Sequence, residues 1–319
     1  MWPLIKLLPV KTNFQFVRFA KLAAVISIVG VLASLGRSLM PFEPPCGGLN
    51  CGIDFTGGTV LELSTAPNQV DLAKARAAVS ALPVGDPQVQ GVGDGTKAMV
   101  RYQPPAGANS DQVVDQVEAA LSQALGQVTF EAPNVIGAKV SGELFQSGLM
   151  ALGLAILLML VYIWFRFELQ FGIGAIIALF HDVILTFGVI AFFGLEFSLN
   201  TVAAVLTVIG YSMNDTVVVF DRLRENLRKY KRMPLREIID LSINETLSRT
   251  IITGVTAILA LTGLAVFGGS TLFDMSIVLI FGIIIGTYSS VYVAAPVLLL
   301  FGVKRGEEAE PLKPAQAQS

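Results

Sequence analysis

Six apolar runs, each long enough to cross a bilayer, constrain this chain more than any other feature. They lie near Phe19–Leu39, Leu144–Phe165, Phe171–Phe193, Leu199–Phe220, Thr250–Phe267 and Met275–Phe301. A spanning helix needs roughly 17–25 mostly apolar residues. In hydrocarbon every backbone polar group must be satisfied within the structure, so such runs fold as helices. Composition agrees. Of the residues, 53% are hydrophobic and 14% charged, against about 25% charged in a typical soluble domain. Mean hydropathy is +0.67. The net charge of −2 averages regions of opposite balance and excludes little. No basic tract points to nucleic acid.

Lys6, Lys11, Arg18 and Lys21 surround the start of the first run, as in a signal peptide. No small-residue cleavage site follows in "SLGRSLMPFEPP", so the run reads as a retained anchor. Loop charge sets orientation, because Lys and Arg are retained on the cytoplasmic side. The N-terminal arm is basic, and so is Asp221–Arg249, with Arg222, Arg224, Arg228, Lys229, Lys231, Arg232 and Arg236. Lys304 and Arg305 add to the tail, while "GLEFSLN" and "FGGSTLFD" carry no Lys or Arg. Both termini are therefore expected in the cytoplasm, and the insert between the first two runs outside. The chain divides into an arm and first helix (1–39), an extracytoplasmic domain (40–143), a five-helix bundle (144–303) and a cytoplasmic tail (304–319).

Within the insert, "GGTVLELS" alternates as a strand with Leu61 and Leu63 on one face. "NQVDLAKARAAVSAL" reads as a helix with the capping pair Asn68 and Asp71. "PQVQGVG" and "KAMVRYQ" flank the hairpin signal "DGT". A second amphipathic helix, "SDQVVDQVEAALSQAL", and a strand, "QVTFEAPNVIG", follow. The order βαββαβ is that of an α+β, ferredoxin-like domain. The insert is acidic, through Glu43, Asp54, Asp71, Asp86, Asp94, Asp111 and Asp115 among others, which reads as a solvated face. Cys46 and Cys51 in "PCGGLNC" are disulfide candidates, because an oxidising outer compartment would permit the bond; two reduced small residues are the other reading.

Catalytic and metal chemistry find little support. The chain holds 2 Cys and 1 His. No GxxxxGK[ST] or HExxH occurs, and in "GYSMN" Asn214 stands where a GxSxG elbow requires Gly. The expectation is no enzyme, no catalytic residue, no metal and no cofactor, leaving an ion gradient or a partner as the energy source.

The informative residues are therefore polar ones inside the spans. His181 and Asp182 sit near the middle of the third run, either as a packing pair or with one side chain facing a cavity. In the fourth run Thr207, Tyr211 and Asp215 recur every four residues, flanked by Ser212 and Asn214. Asp215 falls roughly 9 Å inside the run's expected cytoplasmic boundary at Asp221. A carboxylate there costs roughly 3 kcal/mol on insertion scales, unless it reaches water at the interface. Arg249 heads the fifth run at similar depth. It is either a cytoplasmic anchor or the partner that a membrane carboxylate requires. Thr250, Thr253 and Thr256 carry polarity inward. In the sixth run Gly282 and Gly286 have helix-packing spacing, with Thr287, Tyr288, Ser289 and Ser290 as hydrogen-bonding groups.

These words resemble the SecF family, the smaller membrane subunits of bacterial SecD–SecF protein-export complexes, in the resistance–nodulation–division superfamily. The resemblance rests on "GLNCGIDFTGG", "ALFHDVILTFG", "GYSMNDTVVVFDRLRE", "LSRT" and "GIIIGTYSSVYVAAP". It implies six spanning helices with a ferredoxin-like domain after the first, in the inner membrane. It also implies a SecD partner, with the SecYEG channel, SecA, a translocating preprotein and membrane lipid as further contacts. Protons would be the coupling ion, driving late steps of preprotein translocation and release. The proton-transfer residues implied for this side of the pair are Asp215 and Arg249. His181, Asp182, Asn214 and Tyr211 are secondary candidates. The Cys46/Cys51 pair departs from the family pattern. A proton-coupled exporter of small molecules or lipids in the same superfamily is the alternative, although such proteins would carry a second six-span half.

Overall fold

A computed structural model describes residues 12–42, 45–93, 95–105 and 107–302, apart from the side chains of Asp86, Ala138, Ser270 and Thr271. Lys6, Lys11, Glu43, Asp94, Lys304, Arg305 and the predicted tail lie outside the described residues, as does the Asp86 side chain. Six helices are long and apolar enough to cross a membrane, so the chain is a multi-pass membrane protein. In chain order the helices are α1 (Ala20–Leu39), α2 (Ile53–Thr56), α3 (Leu72–Ser80), α4 (Ser110–Leu125) and α5 (Ala138–Arg166). They continue with α6 (Leu169–Phe193), α7 (Leu199–Lys229), α8 (Leu235–Phe267), α9 (Gly269–Ser289) and α10 (Ala295–Phe301). The last span is α9 and α10 joined by a π-helical turn, Ser290–Ala294. Pro296 lies just beyond that turn. It lacks the N–H that would bond Tyr292 O, and its ring crowds that carbonyl, so the helix widens there.

Half or more of the central apolar stretch is buried by the rest of the chain in α6 (50%), α7 (56%) and the last span (50%). The figures for the first span, α5 and α8 are 17%, 11% and 11%. Three helices therefore form the bundle's centre and three its rim. Leu154, Leu157, Leu158, Phe165, Leu259 and Phe267 stay exposed on the rim, a surface suited to hydrocarbon rather than water.

α7 and α8 run past the expected boundaries. Residues 221–249, read as a basic loop, are two helical extensions around a short turn at 230–234. At 1.5 Å per residue α7 is about 46 Å long, more than the ~30 Å hydrocarbon core. The extensions are amphipathic rather than apolar, which hides them from a hydropathy reading. Leu223, Ile238, Ile239 and Ile243 are buried between them, Asn226 Nδ2 donates to Ser242 Oγ at 3.0 Å, and Arg222 pairs with Glu245 at 2.7 Å. The N-terminal arm docks on the same end, where Val17 N–H donates to Asp240 at 2.9 Å. Arg166 at the end of α5 pairs with Asp221 there as well.

At the opposite end lies the insert. Its strands are β2 (Gly58–Ser64), β3 (Gly85–Val92), β4 (Lys97–Gln103), β5 (Thr129–Phe130) and β6 (Asn134–Ile136), after a two-residue β1 (Asn50–Cys51). They pair antiparallel in the order β3-β4-β2-β5, with β6 also on β2. The expected last strand is split because Pro133, between its halves, has no N–H to donate. Leu61 and Leu63 are buried in one cluster with Val117 and Leu121 of α4. α3 begins at Asp71, which caps it by accepting from Lys74 N–H at 3.0 Å; Asn68 belongs to the preceding turn. The glycine pair at the start of β2 has a steric cause. Gly57 and Gly58 have φ of +73° and +118°, and a Cβ at Gly58 would stand 2.8 Å from Tyr102 O.

The insert is fastened to the bundle by a joint that sequence reading did not anticipate. β1 pairs in parallel with β7 (Glu196–Phe197), in the turn between α6 and α7. Arg101 of β4 reaches across, pairing with Glu196 at 2.7 Å and donating to Cys51 O at 2.7 Å. Asp54 of α2 accepts from Leu199 N–H at the head of α7 at 2.8 Å. Cys46 and Cys51, the second of them in β1, are joined by a disulfide, with Cα atoms 6.0 Å apart. Burial raises the Glu196 carboxyl above its ordinary range; Arg101 opposes this, while Asp274 and Asp54 add to it. A folded-state pKa that is raised makes this group's contribution most favourable in acid, and that contribution is lost as pH rises through the raised value. Arg101→Leu should therefore lower stability by on the order of 3 kcal/mol at neutral pH. The deficit should shrink in mild acid, where protonation removes the unpaired charge. Thermal unfolding of the purified protein at the two pH values checks this; an equal deficit at both contradicts it.

Candidate functional site

The polar residues that the sequence scatters over five helices meet in the middle of the bundle. His181 and Asp182 are both buried, 5% and 1% exposed. Although adjacent on α6, they do not diverge toward different surroundings. His181 Nδ1 turns back to Asp182 Oδ1 at 2.8 Å. The other carboxylate oxygen, Oδ2, accepts from Ser289 Oγ of α9 at 2.6 Å and from Ser212 Oγ of α7. His181 Nε2 meets Ser27 Oγ of α1 at 3.1 Å, and the ring stacks on Tyr288 at 6.0 Å between centroids. Tyr288 Oη is 3.0 Å from Ser27 Oγ and donates to Ala23 O at 2.9 Å.

Asp215 lies one helical turn beyond Ser212 and is 8% exposed. Its Oδ1 accepts from Thr250 Oγ1 of α8 at 2.6 Å. Ser290 stands beside the carboxyl and meets Thr216 Oγ1 at 3.0 Å. Asp215 Oδ2 is buried and has no partner at hydrogen-bonding distance and angle, the Ser290 hydroxyl standing beside the carboxyl without completing a bond to it. Buried polar atoms are nearly always paired, so a bare carboxyl oxygen calls for an explanation.

The expected partner of Asp215 was Arg249, but the structure places Arg249 differently. Its side chain is exposed, and no ion pair joins it to Asp215, although its charge acts on the carboxyl through space. Successive helical residues are about 100° apart, so Thr250 takes the inward position and Arg249 points outward. Nor does the expected Thr207–Tyr211–Asp215 stripe form one buried path. Thr207 is exposed and bonds its own helix at Ala203 O, 2.8 Å away. Tyr211 is half-buried, its hydroxyl close to Gly254 of α8. Asn214 is exposed and lines a shallow groove with Gly210, Met159 and Tyr162. The inward face of α7 runs instead through Ser212, Asp215 and Thr216. Ser27 and Thr216 join the site without being expected from the sequence, where the one signal for each is a hydroxyl in an apolar run.

Close helix approach makes these contacts possible. A Cβ at Gly286 would lie 3.0 Å from Ser212 Cβ, and one at Gly282 would lie 2.0 Å from a Val208 methyl. The small residues of α9 thus bring Ser289 within reach of α6 and α7. No group of three or more His, Cys, Asp or Glu suited to a metal occurs among the described residues.

Comparison with known proteins accords with this architecture. Residues 116–304 match the family described as protein export membrane protein SecD/SecF, C-terminal, and residues 48–68 match the SecD/SecF GG motif. The chain is 46% identical over 310 residues to the protein translocase subunit SecF of Cereibacter sphaeroides, covering 95% of this chain and 94% of that one. It is 42% identical to SecF of Rickettsia felis, covering 94% and 96%. Among solved structures it resembles SecDF of Thermus thermophilus, described as a translocon-associated membrane protein. The TM-score is 0.80 at 31% identity, over 94% of this chain and 39% of that longer chain. With a family match over more than half its length and close relatives along nearly all of it, the chain belongs to the SecF branch of the SecD/SecF protein-export family and is an auxiliary subunit of Sec protein export.

Proposed function

We propose that this subunit couples the proton motive force to late steps of preprotein translocation and release, with Asp215 as its proton carrier. The observation that carries the reading is the Asp215 carboxyl itself. It is buried in the bundle, bound through one oxygen to Thr250 and bare at the other. A purely structural aspartate would be expected to have both oxygens paired. A group that must take up and release a proton needs an open oxygen. Arg249, exposed on the neighbouring turn, supplies positive potential and faces outward toward a SecD-type partner, whose own carboxylate would complete the set. Protons are the only coupling ion this reading requires, with no bound cofactor.

The energy is sufficient. One charge crossing 100 mV is worth about 2.3 kcal/mol, and one pH unit adds about 1.4 kcal/mol. A bias of a few kcal/mol shifts a two-state packing substantially. The insert would hold the emerging preprotein against backsliding. Its strand order, β3-β4-β2-β5 with two helices, supports a ferredoxin-like domain, and the joint at Glu196 gives helix movement a route to it. SecYEG and SecA would supply the channel and the earlier driving step.

In this arrangement the protein sits in the bacterial inner membrane, with the α7–α8 hairpin and both termini in the cytoplasm. A membrane-impermeant maleimide should label Gln116→Cys in intact cells and leave Arg232→Cys unlabelled; the reverse pattern overturns the orientation. The function itself is tested in vesicles containing the Sec channel. Adding the complex of this chain with a SecD partner should make export rise when a proton gradient is imposed. Equal export with and without the complex would reject the reading.

A further inference from the structure

We infer that His181 and Asp182 form a second proton-holding site, wired to Asp215 through Ser289 and Ser290 and to α1 through Ser27. The inference builds on the proton-carrier reading of Asp215 and is carried by hydroxyl geometry. Ser289 Oγ has two acceptors within reach, Asp182 Oδ2 at 2.6 Å and Gly286 O at 3.1 Å. Ser290 Oγ lies 2.9 Å from the same Gly286 O, 3.0 Å from Thr216 Oγ1 and beside Asp215. A hydroxyl has one proton to donate, so each serine must choose. With Asp182 ionised, Ser289 donates to it. With Asp182 protonated at Oδ2, the acid becomes the donor and Ser289 turns its own proton to Gly286 O. That carbonyl is shared with Ser290, and so the state of one carboxyl reaches the other across two adjacent residues where α9 enters the π-turn.

The other end of the site reaches α1. Tyr288 spends its only proton on Ala23 O. The contact between Tyr288 Oη and Ser27 Oγ then needs the Ser27 proton. Ser27 can give that proton only when His181 Nε2 is itself a donor, so that with a second proton held between Nδ1 and Asp182 Oδ1 the pair carries two. Loss of a proton from the pair leaves an imidazole that takes the Ser27 proton, and the bond to Tyr288 is lost. α1 lies at the rim and packs chiefly along α6, with Gly30 against Leu185 and Ser34 against Gly188. It leads directly into the insert, where Arg37 donates to Gly48 O at 3.0 Å. The proton count at His181–Asp182 therefore sets how firmly α1 is held. Among the described residues, the titratable or charged groups facing this pair are Tyr288, with Tyr292 behind it, and, through the serines, Asp215, with Tyr211 and Arg249 behind that.

Infrared difference spectra of the full chain with its SecD-type partner in lipid nanodiscs, recorded across pH, test this. Two carboxylic-acid bands should titrate, one removed by Asp215→Asn and the other by Asp182→Asn. Asp182→Asn should also move the Asp215 midpoint by roughly half a pH unit or more, about a threefold change in proton affinity. Ser289→Ala should leave both bands in place and reduce that coupling, and it serves in place of Asp182→Asn if the latter fails to assemble. An unchanged spectrum and an unchanged Asp215 midpoint in Asp182→Asn would overturn the second site. Absence of the Asp215 band from the wild type, with the Asp182 band present, would instead refute the proton-carrier reading and the wiring with it.

Discussion

Asp215→Asn should leave the export complex assembled and abolish the part of export that depends on the proton gradient. The reasoning is isosteric. Asparagine keeps the size of the side chain and an oxygen to accept the Thr250 hydroxyl, which lies 2.6 Å from Asp215 Oδ1. At Oδ2 the amide nitrogen replaces an oxygen that has no hydrogen bond to lose. Packing is thus preserved and only the capacity to change charge is removed. Burial favours the neutral form of a carboxyl group and a nearby cation favours its anion, so a small helix movement can decide between them; an amide has no such choice. Arg249→Met should show a similar loss, because it removes the positive potential that acts on the carboxyl. Preprotein translocation into vesicles with matched amounts of complex, with and without a gradient, measures the effect. Full gradient dependence in Asp215→Asn would make the aspartate structural.

Gly286→Leu should disrupt the bundle itself. The Cβ position at 286 is already 3.1 Å from Ser212 Cα. That neighbour is backbone, so α9 and α7 must separate to admit a larger side chain. Overpacking of this kind costs about 1–3 kcal/mol and occasionally more. The separation would also withdraw Ser289 and Ser212 from Asp182, leaving a buried carboxylate without two of its donors. We expect less folded protein in the membrane and a clear drop in thermal stability, with Gly286→Ala intermediate. Gly286→Leu with wild-type abundance and melting behaviour would show that α7 and α9 are not packed as described.

Features carried by local pattern were legible before the structure. Apolar runs located all six spans, and alternation at Leu61 and Leu63 assigned the inward face of β2. What escaped has a physical reason in each case. The ends of α7 and α8 bury Leu223 and Ile239 while exposing Arg228 and Arg236, so their average hydropathy resembles that of a loop. β1 and β7 are two residues each and exist only because their chains meet. Within the site, Asp215 and Asp182 stood out because a carboxyl in hydrocarbon is costly. Their partners did not. Ser27 and His181 are 154 residues apart, and nothing in a linear pattern distinguishes a serine that caps its own helix from one that crosses to another. In the sequence Arg249 stands out over Thr250 because charge is rare in a span, whereas helix phase decides which of two neighbours turns inward.

Proton flux is the most direct measure of the central claim. The complex of this chain with its SecD partner would be placed in liposomes containing a pH-sensitive dye, and an electrical potential then imposed across the membrane. The account predicts proton movement with the wild-type complex and background movement only with Asp215→Asn. Equal flux through the two complexes would contradict it.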